Sequence, residues 1–211
     1  MSSRMRDRVM TQFPVILLTL ISIIQALALE LLWGKVLDGD YLWQWDLQAI
    51  VAWGSISVTM LGILQVWVLY STLVLGFTWR PTMRDMLLPF VIGLLEFSLV
   101  SLIGPDFDAL WLYALAGIFL FGNTVAHITF RRARLEIENA AFFRGRSPAT
   151  WRDFIWAFSN IFLLISFGIL YTALRSPDWI ALTAMVFANG ALLVQMVTSR
   201  RLWKAIVETE D

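Results

Sequence analysis

The chain has 211 residues, 59% of them hydrophobic and 15% charged, against roughly 45–50% and 25% in soluble domains. A soluble core of this size cannot hide that much apolar surface, which points to a polytopic membrane protein. The absence of cysteine excludes thiolate-held zinc, iron–sulfur clusters, thiol nucleophiles and disulfides.

Apolar runs at about 13–33, 47–77, 86–104, 109–130, 154–174 and 179–198 are each close to, or longer than, the ~20 residues that cross ~30 Å of hydrocarbon. The expected fold is all-α: a bundle of six transmembrane helices in one domain over residues 1–211, arranged as three sequential helical hairpins.

The first run follows Arg4, Arg6 and Arg8 and carries Gln25 near its centre and Glu30 about a turn from its far end. Read instead as a cleaved signal peptide, it would be cut after Ala28. The second run begins in a cluster of Trp43, Trp45 and Trp53, residues that favour the headgroup level, and holds Gln65 near mid-depth.

Arg80 and Arg84 precede the third run, where Thr82 and Asp85 have the spacing of a capping box. Glu96 lies at the middle of this run. A charged side chain there costs ~2.5–3.5 kcal/mol even on a lenient insertion scale, so this acid needs a partner or a purpose.

Pro105-Asp106 is expected to start the fourth helix, which carries Asn123 and His127 and runs into Arg131 and Arg132. In the loop that follows, Arg132 with Glu136 and Arg134 with Glu138 have the i,i+4 spacing of helix ion pairs. Arg131, Arg132, Arg134, Arg144 and Arg146 are candidates for contact with anionic headgroups.

Thr150 and Asp153 repeat the capping-box spacing before the fifth run, which holds Asn160, and Pro177-Asp178 opens the sixth, with Asn189 near its centre. Arg200, Arg201 and Lys204 close it. The recurrence of caps, prolines and paired arginines marks a candidate hairpin duplication.

All basic residues except Lys35 and Arg175 fall in the patches that alternate topology puts on one side, and Asp38, Asp40, Asp46, Asp106, Asp108 and Asp178 fall on the other. The positive-inside rule then places both termini in the cytoplasm. The preference for Arg over Lys fits a GC-rich genome and a bacterial inner membrane.

Several chemistries are excluded. No aspartate lies within a span, so an aspartyl intramembrane protease is ruled out, and a lone histidine cannot ligate a haem on both faces. No phosphate-binding loop or HExxH motif is present. No row of arginines suits a voltage sensor, and no metal or other cofactor is expected.

What remains is passage of an ion, proton or small solute, with Glu96 central and His127, Asn123, Asn189, Gln65 and Glu30 as further members of a polar path. The alternative is a non-catalytic scaffold or accessory subunit of a larger membrane complex; a lipid-active enzyme is third. The expected partners are membrane lipids and a homo-oligomer or larger membrane complex, not nucleic acid.

Overall fold

The computed structural model describes residues 3–144, 154–175 and 177–208. Among them are helices α1 (Ser3–Asp38), α2 (Leu47–Gly76), α3 (Met83–Ser101), α4 (Ala109–Ala133), α5 (Ala140–Phe143), α6 (Ile155–Ala173) and α7 (Asp178–Val207). Short 3₁₀ turns cover Asp40–Trp43 and Ile137–Asn139, and the described residues contain no strand.

Among the described residues, five segments are long and apolar enough to cross a bilayer: Met10–Asp38, Leu47–Gly76, Ala109–Ala133, Ile155–Ala173 and Asp178–Val207. The expected sixth, α3, is 19 residues long, but Arg84, Asp85 and Glu96 set it apart from the others. The apolar runs also understate the helices, since α1 begins well before residue 13 and α7 continues to Val207.

Helix starts follow side-chain chemistry closely. Asp46 Oδ1 accepts the Ala49 N–H at 2.7 Å to open α2, and Asp108 Oδ1 accepts the Leu110 N–H at 2.8 Å to open α4. Pro105 therefore does not start α4, because a carboxylate satisfies an orphan N–H and a proline only avoids creating one. Pro177 does sit at the N-cap of α7, so the two prolines are not structural equivalents.

At α3 the Asp85 carboxylate accepts both the Thr82 N–H (2.7 Å) and the Thr82 hydroxyl (2.9 Å). The matching box at Thr150 and Asp153 lies outside the described residues, and so do Arg146 and Arg152.

Within lipid, helix association gains nothing from expelling water, so close backbone approach and interhelical hydrogen bonds decide the packing. Small residues mark the tight pairs. A Cβ added to Gly54 of α2 would meet Met185 Cβ of α7 at 2.9 Å, one on Gly93 of α3 would meet Ile24 Cγ2 of α1 at 2.6 Å, and one on Gly168 of α6 would meet Tyr113 of α4 at 2.6 Å. These glycines thus mark close approaches of α2 to α7, α1 to α3 and α4 to α6. The first expected hairpin does form, since α1 packs on α2 as well as on α3, but the last does not dominate: α6 and α7 touch each other less than they touch α4 and α2.

Helix directions follow from matched contacts. Gly54 with Met185, Ser57 with Asn189 and Gln65 with Ser199 make α2 and α7 parallel. Gln25 with Glu96 and Lys35 with Ile103 make α1 and α3 parallel. Tyr113 with Gly168 and His127 with Phe154 make α4 and α6 antiparallel. Together these directions bring Arg80, Arg84, Arg131, Arg132, Arg200 and Arg201 to one end of the bundle and Asp46, Asp106, Asp108 and Asp178 to the other.

Lys35 is an exception to that segregation with a clear reason. Its ammonium donates to the Ile103 (2.8 Å) and Ser101 (3.2 Å) carbonyls, which the end of α3 leaves without intrahelical partners.

The arginine-bearing end is held by tertiary contacts that override local pairing. Arg132 Nη1 reaches Asp85 Oδ1 at 2.9 Å, and Arg80 Nε reaches Glu136 Oε1 at 3.2 Å, so the expected Arg132–Glu136 pair does not form. The chain turns at Arg134 and Leu135, which ends the helical register that the i,i+4 pairs require. Buried Asn139 donates to the Thr78 and Ala133 carbonyls, both at 2.6 Å, and its oxygen accepts the Thr78 N–H at 3.1 Å. Phe77 packs edge-on against Phe130 and Phe142 beside this junction.

Candidate functional site

Glu96 is 2% exposed on α3. Gly93, one turn earlier, lets α1 approach, and the Gln25 amide donates to Glu96 Oε2 at 2.9 Å. The acid's partner is therefore a neutral amide, and its other oxygen, Oε1, has no partner in the protein.

A small cavity of about 50 Å³ borders Glu96, between α2, α3, α4 and α7. Thr59 and Gln65 line it, 0% and 3% exposed, and Thr59 Oγ1 and Gln65 Oε1 are likewise without partners. The Gln65 amide nitrogen is already engaged, donating to Ser199 Oγ at 2.7 Å. Buried oxygens of this kind are normally hydrogen-bonded, so a group of them around one void calls for an explanation.

Two larger cavities lie on either side. Toward the arginine-bearing end is one of about 360 Å³, walled by Phe142, Phe143, Phe154 and Trp156 and by the polar groups of Asn160, Gln195, Thr198 and Ser199. It shares Leu69, Phe119, Asn123 and Gln195 with the small cavity, so these residues form the junction between the two. Toward the aspartate-bearing end is a cavity of about 290 Å³ lined by Gln48, Ser55, Asp106, Trp111 and Asp178.

This last cavity shares no lining residue with the small one. On α2 the step from Ser55 to Thr59 is one turn, and on α4 so is the step from Trp111 to Leu115. The gap between the cavities is bounded by Leu99, Ile103, Trp111 and Leu115, all 1–3% exposed. Three voids thus follow one another along a single seam, interrupted by one apolar layer about a helical turn thick.

Comparison with protein-family models, curated proteins and solved structures finds no match. The seam must be judged on its own chemistry.

Of the expected polar path, Glu96 and Gln65 meet at the small cavity and Asn123 stands at its junction with the larger one. The Asn123 amide nitrogen donates to the Phe119 carbonyl at 2.7 Å.

Asn189 lies elsewhere. It accepts from Ser57 at 2.8 Å and donates to the Met185 carbonyl, lining none of the three voids. Glu30 is exposed on α1. His127 lies behind the large cavity, with its ring edge-on to Phe154 at 4.8 Å and Nδ1 unpartnered.

Among the candidate lipid contacts, Arg131, Arg134 and Arg144 are exposed, whereas Arg132 is committed to Asp85. Thr59 and Gln195 were missed. Neither stands out in the sequence, because a hydroxyl inside a helix ordinarily bonds its own preceding turn, as Thr72 and Thr124 do here. Among the described residues no group of three or more His, Asp or Glu side chains is placed to hold a metal ion.

Proposed function

We propose that this chain is an integral protein of a bacterial inner membrane, with six spans and cytoplasmic termini, that passes an ion or small solute along the seam between α2, α3, α4 and α7. The observation that carries the reading is the series of three voids, with unpartnered buried oxygens at the middle one and a single apolar layer closing it toward the aspartate-bearing end. Such an arrangement suits a closed pathway whose inner cavity reaches mid-depth.

The inclusion of α3 as a span rests on where its charges lie. Arg84 and Asp85 occupy its first turn, within reach of an interface, and Glu96 is shielded by Gln25. Membrane lipids are the immediate partners in this reading.

The test is flux into liposomes containing the full chain, across a panel of monovalent cations, protons and small neutral solutes. Wild type is expected to exceed protein-free vesicles for at least one species. Leu115→Ala is expected to raise that flux by thinning the apolar layer. Absence of flux for every species refutes the reading.

A second reading, an accessory subunit of a larger complex, is favoured by α6. Only Asn160, Ile161, Leu164, Gly168 and Tyr171 of that helix are buried, leaving the rest of a nineteen-residue apolar helix open to a partner helix or lipid. Co-purification of a stoichiometric membrane partner together with absent flux would favour it.

A further inference from the structure

We propose that Thr59, Gln65 and Glu96 bind a single monovalent cation of sodium size in the small cavity between α2, α3, α4 and α7. The proposal deepens the passage reading by naming an ion for the middle of the seam, but it is decided by binding and not by flux.

The donor set carries the inference. Three residues lining the same void each carry a buried oxygen without a partner in the protein: a carboxylate oxygen of Glu96, an amide oxygen of Gln65 and the hydroxyl of Thr59. All three side chains are at least nine-tenths buried. Of the other polar atoms of these side chains, Glu96 Oε2 accepts from Gln25 and the Gln65 amide nitrogen donates to Ser199 Oγ, so the remaining oxygens are the groups left for a ligand. Gln65 therefore has its donor engaged and its acceptor free.

Oxygen ligands of this kind suit a hard cation. The charge count selects its valence. Glu96 is the only acid lining the void, so one positive charge is matched and a second would be stranded in a site without water-like screening. Calcium also requires six to eight oxygens, and magnesium a near-ideal octahedron. A monovalent ion can use three protein oxygens and complete its shell with water. The volume of about 50 Å³ allows this, since one water needs only ~10–15 Å³ on the same measure.

The ends of the seam favour supply from one side. Asp106 and Asp178 line the vestibule beyond the apolar layer, where they raise the local concentration of cations, while the opposite end collects arginines. Cations therefore approach from the aspartate side and reach Glu96 when the layer at Leu99, Trp111 and Leu115 parts.

The experiment is thermal unfolding of the full chain in detergent, titrated with NaCl, KCl or choline chloride at constant ionic strength, together with equilibrium binding of radiolabelled sodium. Sodium at ~100-fold above its Kd is expected to raise Tm by roughly 5–10 °C, with choline inert. Glu96→Gln keeps an acceptor for Gln25 but removes the charge, and Thr59→Val keeps the shape but removes the oxygen. Each is expected to abolish the sodium-specific shift, while Thr59→Ser, which retains the hydroxyl, preserves it.

A wild-type Tm that responds equally to choline, or to no salt, means that water alone fills the void and overturns the proposal. A sodium shift that survives in both Glu96→Gln and Thr59→Val overturns it as well. Sodium binding without flux would instead retain the site and discard the passage reading.

Discussion

Replacing Gln25 with leucine removes the one donor that Glu96 has within the bundle while keeping the side-chain volume similar. Two magnitudes compete. Interhelical hydrogen bonds in membrane bundles average ~0.6 kcal/mol and reach ~1.7, because the unfolded chain in the bilayer finds other partners. Leaving a buried polar group unsatisfied costs ~1–3 kcal/mol. Glu96 is 2% exposed and its second oxygen is already unpartnered, so little compensation is at hand. The loss for Gln25→Leu should then lie near the top of the membrane range, ~1.5 kcal/mol. Glu96→Met, which strands the Gln25 amide instead, is expected to cost about 1 kcal/mol. The double variant removes both partners and should return close to wild type, which gives a coupling energy of about 2.5 kcal/mol in magnitude. Unfolding of the purified chain by SDS titration in mixed micelles measures all four corners of this cycle. Additivity within ~0.3–0.5 kcal/mol, the value for independent sites, would refute the idea that Gln25 holds Glu96 in place.

Three further outcomes are expected. Asn139→Ala strands the Thr78 and Ala133 carbonyls and the Thr78 N–H at the arginine-bearing end, and should destabilise the fold by roughly 2–4 kcal/mol in the same titration. Thr78→Ala, losing only a 3.2 Å hydroxyl contact, should cost about 1 kcal/mol or less. In a chain without native cysteine, Gly54→Cys combined with Met185→Cys should oxidise to a bridge between α2 and α7, seen as loss of maleimide labelling. The added β carbon starts 2.9 Å from its partner where disulfides need about 3.5–4.5 Å, so a shift of roughly 1 Å suffices.

Depth was legible in the sequence, and azimuth was not. Glu96, Gln65 and Asn123 were found because a polar group at mid-span is costly wherever it points, and all three do border the seam. Asn189 sits at similar depth but is turned toward Ser57, on a face of α7 that misses the voids. One residue's position along a helix of 3.6 residues per turn says nothing about that rotation until the neighbours are known. Helix existence was legible for the same reason that composition was: long apolar runs have few alternatives. Their pairing was not. Sequential hairpins are the economical guess, and α1 does pack on α2, but Gly54 and Gly168 admit α7 to α2 and α6 to α4, so the last two helices settle there more than on each other. Local charge rules failed at Arg132 because the chain turns just beyond it, and the Asp85 carboxylate across the bundle offers a better-buried partner than Glu136 along the chain.

The same three close pairs explain where the seam can exist. Each glycine contact seals the interface within a pair: α1 with α3, α2 with α7, α4 with α6. The small cavity lies where the pairs meet, taking its walls from α2 and α7, from α3 and from α4, one pair after another. Within pairs Ser57 bonds Asn189 and Gln25 bonds Glu96 Oε2. On the residues that line the junction, Thr59 Oγ1, Gln65 Oε1 and Glu96 Oε1 have no partner. A packed interface resists continuous deformation, so any opening of the seam is cheapest as displacement of whole pairs against one another. Leu99 of the apolar layer belongs to one pair and Trp111 and Leu115 to another, so moving α3 with α1 away from α4 with α6 would part the layer and keep the glycine contacts and the Gln25–Glu96 hydrogen bond, at the cost of the Arg132–Asp85 ion pair between α4 and α3 and of the packing of α1 on α2.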